Sequence, residues 1–343
     1  MQKLAYVILF YCFCLPLFAQ NDRKIIMLEE KRTLLFKEEK KLNSPQREAN
    51  LCLAQNDRVL LFMSGRGGQS WSNPVHTTNL HTNRLEADGD IWYSQKNVKE
   101  EWSAPQVAAG ISTNDGEDEP NMSENGQILY YQSWGMGWQK NGGPYYAYDL
   151  KEKIITGLGS GITQFFVDRQ NEHTRRSNKM RAFISNDYAT DGMTISKDGK
   201  IFIVAVGEYI GKMDLYISRK DTFTGKWSYL KRLEISTKGD ERTPFLAPDG
   251  KTLYFSSDSY NSLGGLDIFY TTLYDDDRCG DIYNVGEPIN TKTNDCGFIA
   301  NHDGSVMFIV RNDDIVSISF PKNTNNGTDL PAIQTPEIKE KKD

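Results

Sequence analysis

The chain is poor in the residues that build metal centres and disulfide scaffolds: among its 343 residues are 5 cysteines and 4 histidines. No Cys-x-x-Cys pair occurs. His76 and His81 share one stretch while His173 and His302 stand apart, so the tetrahedral set that zinc requires is not offered. There is no G-x-S-x-G elbow, no P-loop and no S-x-D-x-G-x-x-W box of the sialidase kind. A basic block is also missing. Lys and Arg total 40 against 46 Asp and Glu, and a net charge of -6 excludes nucleic acid as a partner, because nothing can neutralise a run of phosphates.

Only one long apolar run is present, Leu4 to Phe18, preceded by Lys3 and followed by Ala19-Gln20. This is the three-part plan of a secretory signal, and about 15 apolar residues fall short of the ~20 needed to span a bilayer. Residues 1–19 are expected to be removed, leaving an exported chain with no transmembrane segment. Cys12 and Cys14 raise a lipoprotein route, but Tyr11 and Phe13 are bulky where acylation signals carry small residues. In an exported chain the remaining cysteines suggest a Cys279–Cys296 bridge, with Cys52 as a small buried residue.

What the sequence does contain is a repeat. Stepping back fourteen positions from Asn56, Asn125, Asp198, Asp249 and Asp303 reaches Leu42, Ile111, Ile184, Ile235 and Ile289, each followed by two small polar residues. The first set marks tight turns, since Asn, Asp and Gly tolerate positive φ. Short apolar runs follow each turn: Val59 to Met63, Ile128 to Tyr131, Ile201 to Val206, Leu253 to Phe255 and Val306 to Val310. Asp90, Asp214, Asp267 and Asp314 then open a third strand, and Trp102 and Trp227 announce a fourth. Four strands per unit of about fifty residues, repeated, indicate an all-β propeller.

Five frames predict five blades, with a degenerate sixth as the alternative in the long segment from Leu150 to Met180. The last copy lacks a fourth strand, and Leu42-Asn43-Ser44 ends a fourth strand with none before it. Residues 20–41 are therefore expected to close the last blade, Lys24 to Leu42 supplying its outer strand, although Lys31 to Lys41 could also be read as a short helix. The propeller spans 42–320. The tail, 321–343, is too polar to order itself.

The stretch PDGKTLYFSS, the later Gly264-Gly265-Leu266-Asp267-Ile268 and the triplet Ile289-Asn290-Thr291 resemble the WD40-like (PD40) repeat of bacterial Tol-type propellers, in particular copies in exported proteins of Bacteroidota. The resemblance covers about Leu42 to Phe320 and is weakest through blade two. It implies a periplasmic or outer-membrane-associated interaction platform whose partner is an envelope protein, OmpA-like or peptidoglycan-associated. This chain departs from larger relatives in having no OmpA-like domain and no TPR helices, so direct peptidoglycan anchoring is not implied.

Six positions after each anchor stand Glu48, Glu117, Thr190, Glu241 and Asp295, with Asp191 next to Thr190. These fall where an outer strand leads to the next inner strand, so they would converge on one channel mouth. Two readings follow: an acidic rim for a bound cation or a basic partner segment, or carboxylates that each tie down their own loop. The repeated third-strand Asp residues read as structural, because catalysis needs unlike carboxylates. Departures from the repeat, namely Trp71, Trp134, Trp138 and the charged pair Arg175-Arg176, mark blades one and two as the expected binding face. The run Tyr145 to Tyr148 is either part of that face or a third strand. The function expected is a non-enzymatic exported platform without cofactor; the alternative is a hydrolytic, for example carbohydrate-active, propeller with its site at the channel mouth.

Overall fold

The computed structural model describes residues 23–29, 33–66, 76–79, 84–87, 89–113, 116–135, 137–179, 188–208, 211–301 and 303–321. The turn pairs form hairpin tips as their chemistry dictates. Gly126, Gly199, Gly250 and Gly304 have φ of 67°, 69°, 69° and 69°, a left-handed conformation that costs glycine nothing. Each donates its N–H three residues back, to Ser123, Ser196, Ala247 and Asn301. Asp249 Oδ1 accepts the N–H of Lys251 and of Thr252, both at 2.8 Å, which fixes the turn before the next strand begins.

These hairpins build five antiparallel sheets with strands in sequence order from the axis outward. Blade one comprises Glu48–Ala54, Val59–Ser64, Asp90–Gln95 and Gln106–Val107. Blade two has Glu117–Met122, Ile128–Ser133, Tyr145–Asp149 and Ile154–Gly157; blade three has Tyr188–Ile195, Ile201–Glu208, Gly211–Arg219 and Lys231–Arg232. Blade four is Glu241–Leu246, Thr252–Ser257, Asp267–Thr272 and Ile282–Asn284, and blade five starts with Asp295–Ala300, Val306–Arg311 and Asp314–Ser319. The tyrosine run is thus a third strand. The connection after Ser64 carries a further hairpin, His76–Asn79 with Arg84–Ala87.

Closure of the ring follows the expected route, with one addition. Leu35–Glu38 pairs antiparallel with the third strand of blade five, Phe36 opposite Ile318, and becomes its outermost strand. Just before it, Ile25–Met27 runs parallel to Ile282–Asn284 and gives blade four a fifth strand. Residues 24–42 therefore serve two blades, and Lys40 and Lys41 lie in a turn. Among the described residues the segment from Leu150 holds no sixth blade. After the outermost strand of blade two comes helix α1, Ser160–Lys179, whose Ile162, Phe165 and Phe166 share one face by their spacing and pack among Trp138, Tyr145, Phe202 and Trp227 between blades two and three. Gly161 is needed there because a Cβ would stand 2.3 Å from the backbone of Ser228 and Tyr229.

Each seam between neighbouring blades holds its own apolar cluster, for example Phe255 and Phe269 with Ile203 and Leu215 between blades three and four. The anchor triplets bind the blades internally. Among the described residues their aliphatic residue is buried, and in three triplets the polar residue after it clamps the third strand of its own blade. Asn290 accepts from Ile268 N at 2.8 Å and donates to Ile268 O at 2.8 Å; Asn43 does the same to Ile315 at 2.8 and 3.2 Å; Ser236 accepts from Leu215 N. The expected Cys279–Cys296 bridge is absent, and Cys52, Cys279 and Cys296 are free thiols. Cys296 lies on the innermost strand of blade five, whereas Cys279 sits beside the outermost strand of blade four, so the ring holds them at different radii.

Replacing Asn43 by Ala leaves two backbone groups of Ile315 without their clamp at the closing seam and is expected to cost about 1–3 kcal/mol in urea unfolding. Removing residues 1–41 bares the edge of Asp314–Ser319, and light scattering should then show self-association.

Candidate functional site

The repeated carboxylates are turned into their own blades. Glu48, Glu117, Glu241 and Asp295 are fully buried. Glu117 accepts from Thr113 N at 2.7 Å and from Ser133 Oγ at 3.1 Å; Glu241 accepts from Thr237 N at 2.7 Å, Thr237 Oγ1 at 2.8 Å and Ser257 Oγ at 2.9 Å. Asp295 takes the N–H and hydroxyl of Thr291, both at 2.7 Å, and Glu48 the hydroxyls of Ser44 and Ser64 at 2.6 and 2.9 Å. Arginine supplements this in the closing blades, Arg66 on Glu48 and Arg311 on Asp295. In these four triplets the third residue, Ser44, Thr113, Thr237 or Thr291, thus holds the carboxylate four positions on, which stitches the incoming loop to the innermost strand. Burial raises the carboxyl pKa of Glu48, Glu117 and Glu241, with the hydroxyl and N–H donors opposing it.

The channel mouth itself is formed one step further in. Every innermost strand carries a β-bulge just after the acidic station. At its centre lie Asn50, Glu119, Gly192, Thr243 and Gly297, all with positive φ. The bulges knit the blades round the axis: Gly192 N donates to Glu119 Oε1 at 3.1 Å, Gly297 N to Thr243 Oγ1 at 3.1 Å, and Asn50 Nδ2 to Asp118 Oδ1 at 2.8 Å. They leave an axial cavity of about 20 Å³, lined by residues of all five innermost strands. That is room for about one water molecule.

Across this narrow axis lies a charge network that the acidic-ring reading did not contain. Asp191 bridges two guanidiniums, Arg242 at 2.7 Å and Arg47 at 3.3 Å, and Arg242 also meets Asp240 at 3.2 Å. Blades one, three and four are thereby joined by ion pairs. Burial opposes the charge of Asp191, but Arg47 and Arg242 outweigh it and hold its carboxyl below the usual range. The neighbouring Asp118 and Glu119 behave oppositely. Burial pushes both up, and Glu119 is raised further by the Asp118 charge, against the donors Tyr145 Oη at 2.7 Å and Gly192 N. Burial thus favours the neutral form of Glu119 while two arginines favour the charged form of Asp191 at the same mouth.

Of the other expected residues, Trp138 is buried and Trp134 packs edge-on against Trp138 and Phe166, at 5.2 and 5.5 Å. Both belong to the seat of α1 rather than to an open face. Arg175 and Arg176 lie on the last turns of α1, their side chains outside the described residues, as are Trp71 and His302. Among the described residues no group of three or more His, Cys, Asp or Glu side chains is arranged to hold a metal ion. The axis residues missed from sequence, Arg47, Asp118, Glu119 and Arg242, flank the repeated carboxylate. Their signal was variation: the position after the acidic station reads Ala49, Asp118, Asp191, Arg242 and Cys296.

Asp191→Asn leaves two buried guanidiniums without their shared charge and is expected to cost about 3–5 kcal/mol in denaturant unfolding. Glu119 carries the opposite sign. Its folded pKa is raised to about 8, so stability is full below the unfolded value of about 4.5 and falls as pH rises from there to about 8. Glu119→Gln should therefore flatten the loss of Tm over that range, read by calorimetry in matched buffers.

No family model matches the chain, and no curated protein does. Among solved structures it is similar to TolB from Acinetobacter baumannii, at 14% identity and TM-score 0.42 over 81% of this chain and 56% of that one. It is also similar to a gluconolactonase from Xanthomonas campestris, at 10% identity and TM-score 0.44 over 84% and 90%, and to the periplasmic gluconolactonase PpgL from Pseudomonas aeruginosa, at 9% and 0.38 over 78% and 67%. The chain thus spans little more than half the length of the first of these. The propeller assignment rests on strand order and register.

Proposed function

We propose that this protein is an exported, non-enzymatic propeller that binds another component of the cell envelope. The leader-like segment at residues 1–19 and the PD40-type repeat support export, and no helix among the described residues is long and apolar enough to cross a membrane. One observation carries the non-enzymatic reading. The axis, where a propeller would hold a small substrate, is bridged by Arg47, Asp191 and Arg242 and opens to about one water's volume. Recognition then falls to the outer surface, and the connections of blades one and two, which depart most from the repeat in sequence, are the proposed contact for an OmpA-like or peptidoglycan-associated partner.

A hydrolytic reading is favoured by one feature: Asp118 and Glu119 are unlike Asp191 in proton affinity, and acid–base catalysis needs such a difference. Turnover separates the two. The purified protein is expected to leave lactone and glycan substrates unhydrolysed, and a photo-crosslinking residue at Gln46 or Lys238 should yield a discrete envelope adduct. Hydrolysis that Asp118→Asn abolishes while the fold persists would replace the platform with an enzyme.

A further inference from the structure

Strand direction alternates along each blade, so the turns joining third to outermost strands all lie on the face opposite the charge network. In blades one and three these turns are built alike. Ser94 Oγ donates to Ser103 O at 2.8 Å and Ser218 Oγ to Ser228 O at 2.7 Å. Lys96 bridges to Trp102 and Lys220 to Trp227, each ammonium standing over its indole at 5.1 and 5.7 Å from the ring centroid. Asn97 Oδ1 accepts from the N–H groups of Lys99 and Glu101, and Asp221 Oδ1 from those of Phe223 and Thr224. What these pinned turns hold out is an apolar side chain. Val98 and Phe223 are each 96% exposed. Blade two, between them, adds Ile154 and Ile155, 58% and 48% exposed where its turn enters the outermost strand.

Single exposed apolar residues are ordinary on protein surfaces, but rigid turns that repeat such a tip across three adjacent blades are not scatter. The charge beside them leans positive: Arg58, Lys96 and five exposed lysines stand against Glu100, Glu101, Asp149, Glu152 and Asp221. Lys99, Lys151, Lys153, Lys220 and Lys226 are exposed in the same turns. Most of the acids there are engaged: Glu100 with Arg58 at 2.8 Å, Glu152 with Lys151 at 3.4 Å, Asp149 and Asp221 with backbone N–H groups of their own turns; Glu101 accepts from Asn97 Nδ2. Blade four's turn differs: after Tyr274 it carries three successive acids, Asp275, Asp276 and Asp277, of which Asp276 meets Arg278 and Asp277 meets Arg219.

We propose that this sector of blades one to three docks on a lipid bilayer bearing anionic headgroups, with Val98, Ile154, Ile155 and Phe223 entering the interfacial layer and the lysines among the headgroups. Protruding tips on separate turns favour a bilayer over a protein. A bilayer receives an apolar side chain wherever it lands, whereas a folded partner must supply a matched pocket for each. Each lysine at an anionic surface raises partitioning about fivefold. The contact leaves the opposite face, with its charge network, free.

Because the apolar run Leu4 to Phe18 would draw the full chain to any vesicle, the decisive readout is local. Amide exchange of the full chain is followed with no lipid, with phosphatidylcholine vesicles and with phosphatidylcholine–phosphatidylglycerol vesicles. The anionic vesicles should slow exchange in residues 97–101 and 221–226 and leave 237–241 unchanged. Phe223→Ser with Val98→Ser, or Lys151→Glu with Lys153→Glu, should weaken that protection by at least about tenfold in lipid concentration while Tm stays constant. Equal protection by both vesicle types, none at these turns, or protection by soluble polyglutamate without lipid would overturn the proposal, the last in favour of an acidic protein partner.

Discussion

A sheet with two apolar faces is stable only when a neighbour covers each of them, and this requirement governs the whole molecule. Phe62, Phe202, Phe255 and Phe308 lie on second strands and are buried in seams between blades, not within one. No blade can be left at an open end, so the chain must return to its start. It does so through Leu35–Glu38, a strand with little apolar burial of its own, whose hydrogen bonds to Asp314–Ser319 complete blade five and bring Asn43 onto Ile315. Closure is achieved by backbone pairing and a side-chain clamp, and the seam clusters then form all the way round.

The same requirement accounts for the buried carboxylates. A loop that leaves an outer strand must cross the blade edge to reach the axis, and its N–H groups lose water on the way. Glu48, Glu117, Glu241 and Asp295 supply acceptors at that crossing, each to the Ser or Thr four residues earlier. Where blade three has Thr190 in that place, Asp191 beside it serves the axis instead, and it is there that the network with Arg47 and Arg242 forms. A buried network of this kind contributes less through its attraction than through the cost of disrupting it, which restricts how blades one, three and four sit relative to one another.

Insertion of α1 shows how far the ring tolerates a departure. Between blades two and three its Ile162, Phe165 and Phe166 join a seam already rich in aromatics, and Tyr145 reaches from that seam to Glu119 at the axis. A feature of the outer ring is thereby connected to the protonation of the mouth. Trp134 and Trp138, conspicuous in the sequence as possible contacts, are consumed in seating this helix. Aromatic content alone does not distinguish a contact residue from a packing one, because both roles call for large apolar area; the distinction is made by what lies beside it.

The sequence by itself determined the repeat, the hairpin tips, the apolar strands and the need for the N-terminus to close the last blade, because each follows from local chemistry: positive φ at Asn, Asp and Gly, short near-continuous apolar runs, and an odd number of strands at each end. It could not separate a helix from a degenerate blade after Leu150, since the short strand Ile154–Gly157 and the polar stretch beyond it fit either until the gap between two blades is known. Nor could it show that Ile25–Met27 joins blade four, or that Cys279 and Cys296 stand apart. The tertiary structure decided the axis, because which of Arg47, Asp118, Glu119, Asp191 and Arg242 meet depends on bulges in five separate strands converging on one line, and no spacing along the chain encodes that convergence.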